Sequence, residues 1–396
     1  MKGDGIDCMG AASLPRTDDP VDRAMLDKSI ELAELGRPGA RPNPVVGAVL
    51  AQPDGTVIGT GHHVRKGAAH AERALLEDLE GAVPDNATLY VSLEPCSHHG
   101  STPPCTDIII ERGVRRVVYA SSDANLVTAG MGPARMRAAG IEVLRAPLDI
   151  ERRALQQNAG FHSVHLRGRA YLTAKWAMTR NGRFATGDPD RRWISGPESR
   201  EFVHYLRAGS GAIAVGIGTV LADDPLLTVR GPLAARTPVP PLRVVYDRRL
   251  RLPLQSQLVQ TIDDAPVLVI CAHDAPADAE LALVAAGVGV WRAPECGPGD
   301  LCIGGSSLAM LAERGINDVL CEAGPTLLSG FHEAELLDAL HCYVAPIDAP
   351  EDQPGLALDH PLIREALDTP AAPSGDDEHH CVVLHPVWTF PGATAD

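Results

Sequence analysis

Two short segments of the chain carry a histidine, a glutamate and two cysteines at spacings that suit zinc chemistry. The first is His70-Ala71-Glu72, and the second runs from Cys96 through eight residues to Cys105. One imidazole and two thiolates are the three protein ligands that a catalytic zinc takes when its fourth position stays open for water. Zinc lowers the pKa of such a water from about 15.7 to roughly 7. Glu72 is placed to carry protons for that water without binding the metal.

A structural zinc site is the alternative interpretation, and it needs a fourth cysteine or histidine. His98 and His99 lie between the two cysteines and could supply it. Structural sites favour tight pairs such as C-x₂₋₄-C or H-x₃₋₅-H, and this spacing has neither. We therefore expect a catalytic zinc bound by His70, Cys96 and Cys105, with Glu72 as the catalytic acid and base.

The predicted secondary structure brings these residues together. A strand over 88–93 is followed directly by the segment that carries Cys96, and a helix over 105–112 begins at Cys105. A helix N-terminus favours thiolate, because its unpaired N–H groups carry partial positive charge. His70 and Glu72 are expected in the first turn of a helix over 68–79. Strands alternate with helices along this part of the chain, which predicts a layered α/β sheet.

Several motifs resemble one enzyme family. The His-x-Glu…Pro-Cys pattern is typical of zinc-dependent base deaminases, and the run from Leu93 to Cys105 resembles the riboflavin-biosynthesis deaminases in particular. Cytidine, tRNA-adenosine and guanine deaminases place the two cysteines as Cys-x-x-Cys instead. The segment 42–47 and the His63…His70 spacing resemble the same family. In its bifunctional bacterial form a reductase follows the deaminase, and the segments 193–195, 206–208, 215–230 and 322–327 resemble that reductase.

The resemblance implies a cytidine-deaminase-like three-layer α/β/α domain followed by a dihydrofolate-reductase-like α/β domain. We expect a mobile tail over 1–20, a zinc-dependent deaminase domain over 21–148, a linker over 149–168 and an NADPH-dependent reductase domain over 169–396. The implied reactions are hydrolytic deamination of 2,5-diamino-6-ribosylamino-4(3H)-pyrimidinone 5′-phosphate and reduction of the ribosyl group to ribityl. The enzyme would thus be both a hydrolase and an oxidoreductase, with Zn²⁺ and NADPH as cofactors.

The resemblance also implies a set of substrate contacts in the deaminase domain. The family positions that line the pocket correspond to Asn43 and His63, while His98 and Thr102 lie in the loop between the two cysteines, which must approach the substrate closely. An amide such as that of Asn43 can both donate to and accept from the edge of a pyrimidine. Ser101 stands where most family members carry Arg or Lys. That departure removes a phosphate contact, so we expect Lys66 or Arg65 to serve instead.

The reductase half has predicted cofactor and substrate positions. The cofactor positions are Ala177, Trp193, Thr219, Asp223, Arg248, Gly324, Pro325, Thr326 and Leu327. The substrate positions are Arg207, Leu227, Arg230 and Glu322, and Lys175 or a neighbouring acid is the expected catalytic proton donor. Gly324 follows a predicted strand and opens a helix, where free N–H groups suit a pyrophosphate. Arg248 and Arg249 lie at the end of another predicted strand. Their guanidinium groups suit the 2′-phosphate of a dinucleotide; the alternative is that they are two solvated arginines of a turn.

Three departures from the family concern the reductase. Arg191 stands in place of a usual serine, Asn181 in place of a usual aspartate, and the segment after Pro346 lacks the usual lysine and glycines. Two rival interpretations follow. In the first, only the deaminase is active and the second domain is kept for structure or oligomerisation. In the second, the chain is a zinc-stabilised binding protein without activity.

The composition of the chain argues against several other classes of protein. A formal net charge of −16 over 396 residues disfavours nucleic acid as a partner, because phosphate backbones require a basic surface. No apolar run reaches the roughly 18 to 20 residues of a membrane span, and no signal peptide is visible. Nine cysteines, of which zinc takes two, favour reduced thiols over a disulfide framework. We expect a cytoplasmic, homo-oligomeric enzyme that acts on a small molecule.

Overall fold

The computed structural model describes residues 14–384 except 100–102, 126–127, 189, 192, 295, 297–301 and 358. The chain divides into two compact units, and the boundary between them lies between Arg167 and Gly168. Each unit is described separately. No helix in the described part of the chain combines the length and the hydropathy that crossing a membrane requires.

The first unit is built on a sheet whose five described strands have the order β2-β1-β3-β4-β5. The strands are β1 (Gly47–Ala51), β2 (Val57–His62), β3 (Thr88–Leu93), β4 (Arg116–Ser121) and β5 (Glu142–Arg145). The helices are α1 (Pro20–Glu34), α2 (Arg37–Ala40), α3 (Ala71–Asp78), α4 (Cys105–Glu111), α5 (Met131–Ala138), α6 (Leu148–Gln157) and α7 (Ala159–Arg167). β1 is antiparallel to both neighbours, whereas β3, β4 and β5 are parallel.

Helices cover both faces of this sheet. The side chains of β3 alternate between faces: Leu89 packs with Leu76 of α3 and Ile109 of α4, whereas Tyr90 packs with Leu26 of α1 and with α6 on the other side. Because both faces are covered, every residue of β3 is buried. The expected three-layer α/β/α domain is confirmed.

Two segments of the first unit differ from expectation. The chain is ordered from Leu14, which is buried, and Arg16 forms an ion pair with Glu151 at 2.5 Å. The expected mobile tail is therefore wrong for residues 14–20, and residues 1–13 lie outside the described part. The expected linker over 149–168 holds α6 and α7, and the apolar face of α6 packs into the core around Tyr90.

The second unit is built on a larger sheet whose nine described strands have the order β10-β9-β8-β7-β11-β6-β12-β14-β13. The strands are β6 (Tyr171–Thr179), β7 (Ala212–Gly216), β8 (Leu242–Tyr246), β9 (Val267–Ala272), β10 (Gly289–Ala293), β11 (Asp318–Glu322), β12 (Ala339–Ala345), β13 (Ala372–Ser374) and β14 (Asp377–Val383). The helices are α8 (Pro197–Gly209), α9 (Ile217–Asp223), α10 (Gln257–Gln260), α11 (Ala277–Ala285), α12 (Gly305–Glu313), α13 (Pro325–Glu333) and α14 (Pro361–Leu367), with a 3₁₀ helix over Gly231–Arg236.

Neighbouring strands from β10 to β12 are all parallel, so their carboxyl ends share one edge of the sheet. Ligands of open parallel sheets bind at such an edge. β14 runs antiparallel to β12 and pairs with β13 in a hairpin.

The cysteines outside the zinc motif are not all reduced. Cys296 and Cys302 form a disulfide, which corrects the expectation of free thiols for this pair. The other described cysteines are free. The disulfide closes the connection between β10 and α12.

Candidate active sites

Three ligand atoms converge in the first unit between β3, α3 and α4. The Nδ1 atom of His70 lies 3.6 Å from the Sγ atom of Cys96 and 3.4 Å from that of Cys105. His70 is the residue before α3, Cys96 follows β3, and Cys105 is the first residue of α4. The ligand atoms all lie within 4.8 Å of one another, which suits a tetrahedral ion with bonds of about 2.0 to 2.3 Å. The donor set therefore fits zinc.

The two thiols are electrostatically unequal. A hydrogen bond from the Cys105 thiol lowers the pKa of Cys96 to about 4, and the backbone N–H of Cys105 also donates to Cys96 Sγ at 3.3 Å. The same pairing raises the pKa of Cys105 above its ordinary value. One thiolate is thus favoured before any metal binds, which prepares the site for a cation.

Glu72 lies in the first turn of α3 and is almost fully buried. Burial, together with the nearby Cys96, raises the pKa of its carboxyl group to about 7. A carboxyl group with such a pKa can both give and take a proton at neutral pH. This property suits the acid and base role that the sequence predicts for Glu72.

A cavity of about 340 Å³ opens beside these groups. Among its lining residues are His70, Cys96 and Glu72, together with Asn43, His63 and His98. The structure thus brings the predicted deaminase residues together, except Thr102, which lies outside the described residues, as does Ser101. Sequence reasoning missed Glu94, Asp123, Asn125, Phe161 and His165, which also line the cavity.

Asn43 and His63 are oriented by a chain of hydrogen bonds. His63 Nδ1 lies 3.1 Å from the carbonyl oxygen of Ala69, which can only accept, so Nδ1 carries the proton. Burial lowers the pKa of His63, so its Nε2 is an acceptor. That atom lies 3.3 Å from Asn43 Nδ2. The amide therefore donates to His63 and keeps Oδ1 as an acceptor for a ligand.

Two buried polar residues hold the loops that form the cavity wall. Glu94 accepts hydrogen bonds from the backbone N–H groups of Gly130 at 2.7 Å and Asp123 at 3.4 Å. Asn158, directly after α6, accepts from Val45 N at 2.8 Å and donates to Val45 O at 3.0 Å. Asn158 thereby fixes the segment that carries Asn43.

In the second unit, Lys175 of β6 and Glu322 of β11 are register partners on adjacent strands. Arg207 of α8 binds the Glu322 carboxylate through Nε at 2.5 Å and Nη2 at 2.8 Å. Burial raises the pKa of Glu322, but Arg207 outweighs it, and the net shift is downward. Burial lowers the pKa of Lys175, although Glu322 opposes this effect. The predicted catalytic and substrate residues Lys175, Glu322 and Arg207 thus form one cluster.

The predicted substrate residues Leu227 and Arg230 lie on a loop tied to the same cluster. Arg207 Nη1 donates to the carbonyl oxygen of Thr228 at 3.0 Å. Leu227 is buried and has a positive φ of 52°, and the backbone N–H of Arg230 donates to His204 of α8 at 3.3 Å. Asp223 is the last residue of α9, just before this loop.

The predicted cofactor residues lie at the carboxyl ends of β7 and β11, which are neighbours in the sheet. Gly216 precedes α9 and Gly324 precedes α13, so two helix N-termini open at this edge. A Cβ atom placed on Gly324 would lie 3.9 Å from Thr219 Oγ1, which shows how close these turns are. Pro325, Thr326 and Leu327 form the start of α13.

The remaining cofactor positions are more scattered. Arg248 follows β8 and lies 3.9 Å from Asp274, which Arg249 also approaches at 3.8 Å. Trp193 is half exposed, and its ring faces the guanidinium group of Arg200. Ala177 lies on β6, two residues after Lys175.

Known proteins match both units. Residues 20–121 match the cytidine and deoxycytidylate deaminase zinc-binding region, and residues 170–348 match the RibD C-terminal domain. The riboflavin biosynthesis protein RibD of Actinobacillus pleuropneumoniae is 39% identical over 333 residues, 82% of this chain and 84% of that protein. The chain belongs to the RibD family. It is therefore a riboflavin-biosynthesis enzyme with a zinc-binding deaminase domain and a reductase domain.

Solved RibD structures share the fold. The structure of Acinetobacter baumannii RibD has a TM-score of 0.76 at 32% identity and covers 92% of this chain and 98% of that chain. A Thermotoga maritima protein described as diaminohydroxyphosphoribosylaminopyrimidine deaminase/5-amino-6-(5-phosphoribosylamino)uracil reductase has a TM-score of 0.74 at 30% identity and covers 91% and 98%. The expected succession of a cytidine-deaminase-like domain and a dihydrofolate-reductase-like domain is confirmed.

Proposed function

We propose that the first unit deaminates 2,5-diamino-6-ribosylamino-4(3H)-pyrimidinone 5′-phosphate and that the second reduces the ribosyl group of the product with NADPH. The observation that carries this proposal is the convergence of His70, Cys96 and Cys105 beside the buried carboxyl group of Glu72. The name of the Thermotoga maritima protein supports the substrate assignment.

In the deamination, His70, Cys96 and Cys105 would hold zinc, which supplies activation of water when it is bound. Glu72 takes one proton from the attacking water and delivers it to the departing amino group, and the second water proton passes to the adjacent ring nitrogen, so that ammonia leaves as a ring carbonyl forms. The pKa of about 7 suits both transfers. Asn43 Oδ1 accepts a hydrogen bond from an N–H group of the pyrimidine and thereby orients the ring.

In the reduction, NADPH supplies the hydride that reaches C1′ of the opened sugar. Lys175 gives the accompanying proton, which its lowered pKa favours. Arg207 holds Glu322 and the loop of Leu227 and Arg230 through its ion pair and its bond to Thr228. Arg230, together with the outer edge of the Arg207 guanidinium, binds the sugar phosphate in a charge-assisted manner.

The cofactor would lie along the carboxyl edge of the second sheet. The helix N-terminus at Gly324 offers backbone N–H groups to the pyrophosphate, with Thr219 beside it. Arg248 and Arg249 at the end of β8 provide guanidinium groups for a 2′-phosphate. These residues fit a phosphorylated dinucleotide, and they support NADPH over NADH.

A coupled assay on the diaminopyrimidine phosphate, with and without NADPH and with each product identified by mass, tests the proposal. We expect ammonia release without NADPH and the ribityl product only with NADPH. Ammonia release with NADPH never oxidised would favour the deaminase with an inactive second domain. Stoichiometric zinc without ammonia release would favour a zinc-stabilised binding protein. Cytoplasmic location and homo-oligomeric assembly stay predictions, which cell fractionation and light scattering would test.

A further inference from the structure

Helix α7 contributes two ring side chains to the deaminase cavity. Phe161 and His165 both line it and lie four residues apart, on one face of the helix. Their ring centroids are 4.5 Å apart with planes inclined at 63°, an edge-to-face contact. Phe161 is half-buried and His165 is exposed. The contact therefore holds the His165 ring at the solvent side of the cavity.

The charges around the cavity restrict where an anion can bind. The described lining residues include no lysine or arginine, and their carboxylates are Glu72, Glu94 and Asp123. The lining groups able to carry positive charge are the histidines, namely His63, His70, His98 and His165. Among the described lining residues, the groups that can pair with a phosphate ester by charge are therefore imidazoles.

His98 and His165 are both exposed, but of these described imidazoles only His165 belongs to neither the metal-ligand segments nor the Asn43–His63 pair. His70 faces the two thiols of the metal site, and both ring nitrogens of His63 are engaged by Ala69 and Asn43. His98 follows the ligand Cys96 by two residues, which keeps it near the metal end. His165 lies on a different element, and its ring is exposed.

We infer that His165 binds the 5′-phosphate of the deaminase substrate and that Phe161 positions its ring. This inference rests on the proposed function, because it needs a phosphorylated substrate in this cavity. The reacting carbon must lie at the metal ligands, beside the carboxyl groups of Glu72 and Glu94, which repel phosphate. The phosphate, several bonds away on the ribose, extends away from these groups to the solvent side of the cavity, where the His165 imidazole pairs with it.

The test compares two substrates in steady-state ammonia release: the diaminopyrimidine ribosyl phosphate and the same compound without its phosphate. In His165→Ala we expect KM for the phosphorylated substrate to rise about 10-fold or more, as for the loss of a charge-assisted hydrogen bond. We expect kcat and the KM of the dephosphorylated substrate to stay unchanged. His165→Gln, which keeps a polar side chain of similar length without charge, should resemble the alanine variant. Phe161→Leu should give a smaller rise.

Three controls separate a phosphate contact from a structural role. Zinc content and NADPH oxidation with pre-deaminated substrate are measured on the same preparations and should match the wild type. Arg137→Ala removes an exposed charge from α5, outside the cavity lining, and should leave KM unchanged. Arg65→Ala and Lys66→Ala test the alternative that the sequence suggests.

Several outcomes would overturn the inference. An unchanged KM in His165→Ala, an equal rise for both substrates, or a rise in Lys66→Ala or Arg65→Ala without one in His165→Ala would each contradict a His165–phosphate contact. If the wild type releases ammonia from neither substrate, the proposed function itself is wrong and the inference falls with it. If the wild type is active and only the His165 prediction fails, the proposed function stands.

Discussion

The amide of Asn43 and the imidazole of His63 act as one hydrogen-bonded unit, with Nδ2 and Nε2 3.3 Å apart. The backbone carbonyl of Ala69 fixes the proton of His63 on Nδ1 and so determines which end of the Asn43 amide faces the cavity. The two residues predicted as independent substrate contacts are thus coupled: His63 orients the Asn43 amide, and Asn43 is the proposed contact to the ligand.

This relationship predicts that Asn43→Asp impairs deamination. A carboxylate cannot donate to His63 Nε2, so the pair loses its hydrogen bond and adds negative charge to the cavity. We expect kcat/KM for ammonia release to fall about 10-fold or more, with zinc content retained. Steady-state kinetics and elemental analysis check this. A wild-type kcat/KM in the variant would show that the amide orientation has no role.

Glu72→Gln should keep zinc and lose deamination. Glutamine occupies the same space but cannot exchange protons, so we expect kcat to fall by about 100- to 10,000-fold. Cys105→Ala is the contrasting variant and should lose zinc and destabilise the first unit. Zinc content, ammonia release and thermal unfolding of both variants check the prediction. Loss of zinc from Glu72→Gln would make Glu72 a ligand instead.

The reductase should lose activity at alkaline pH as Lys175 deprotonates. Burial lowers the pKa of Lys175 below its ordinary value of 10.5, so the proton donor disappears as pH rises through that lowered value. We expect single-turnover NADPH oxidation to decline with an apparent pKa below 10.5. In Lys175→Met the rate should fall by about 100-fold or more. A wild-type rate in Lys175→Met would assign the proton donor to another group.

Arg207→Ala should lower the free energy of unfolding of the second unit more than a surface substitution does. It leaves the buried carboxylate of Glu322 unpaired, which costs about 3 to 5 kcal/mol in the free energy of unfolding. Adding Glu322→Ala should restore part of that stability but no reductase activity, since both groups are needed. Urea unfolding and NADPH oxidation measure the two effects, and ammonia release is the internal control. Full activity in the double variant would remove both residues from the reaction.

NADPH should bind more tightly than NADH. A 2′-phosphate gains charge-assisted hydrogen bonds worth about 1.5 to 3 kcal/mol from guanidinium groups, or roughly 10- to 150-fold in Kd. Calorimetry with both cofactors measures this ratio. Replacement of Arg248 and Arg249 by alanine should bring it close to one. An equal Kd for both cofactors in the wild type would contradict the prediction, and an unchanged ratio in the variant would place the 2′-phosphate elsewhere.

The sequence predicts the metal site well because short-range geometry determines it. A strand that ends three residues before Cys96 and a helix that begins at Cys105 position both thiols, and these two elements have the predicted bounds to within one residue. His70 differs slightly, because it precedes α3 instead of lying within its first turn. Lys175 lies in the middle of β6 and Glu322 at the end of β11, and the pairing of these two strands brings the two residues side by side.

Residues that approach the site through long-range packing could not be predicted. Phe161 and His165 lie far from the motif in sequence, on a helix whose start at Ala159-Gly160 lacks a clear apolar period. The β13–β14 hairpin was missed because Pro, Gly and Asp have low strand propensity, although Gly375 with its φ of 63° suits a turn. The Cys296–Cys302 disulfide has no sequence signal beyond its spacing.

The two hydrogen bonds between Asn158 and the backbone of Val45 determine where the chain can be cut to separate the two activities. A monofunctional deaminase obtained by cutting the chain at residue 148 would retain every metal ligand and Glu72. It would lack Asn158, which fixes the Asn43 segment, and the α7 wall of the cavity. We expect such a fragment to bind zinc but to lack an ordered surface for binding the pyrimidine substrate. We expect a chain that ends after Arg167 to keep both features, so the part of the chain that deamination needs extends about twenty residues beyond Arg145, the last strand residue of the first sheet.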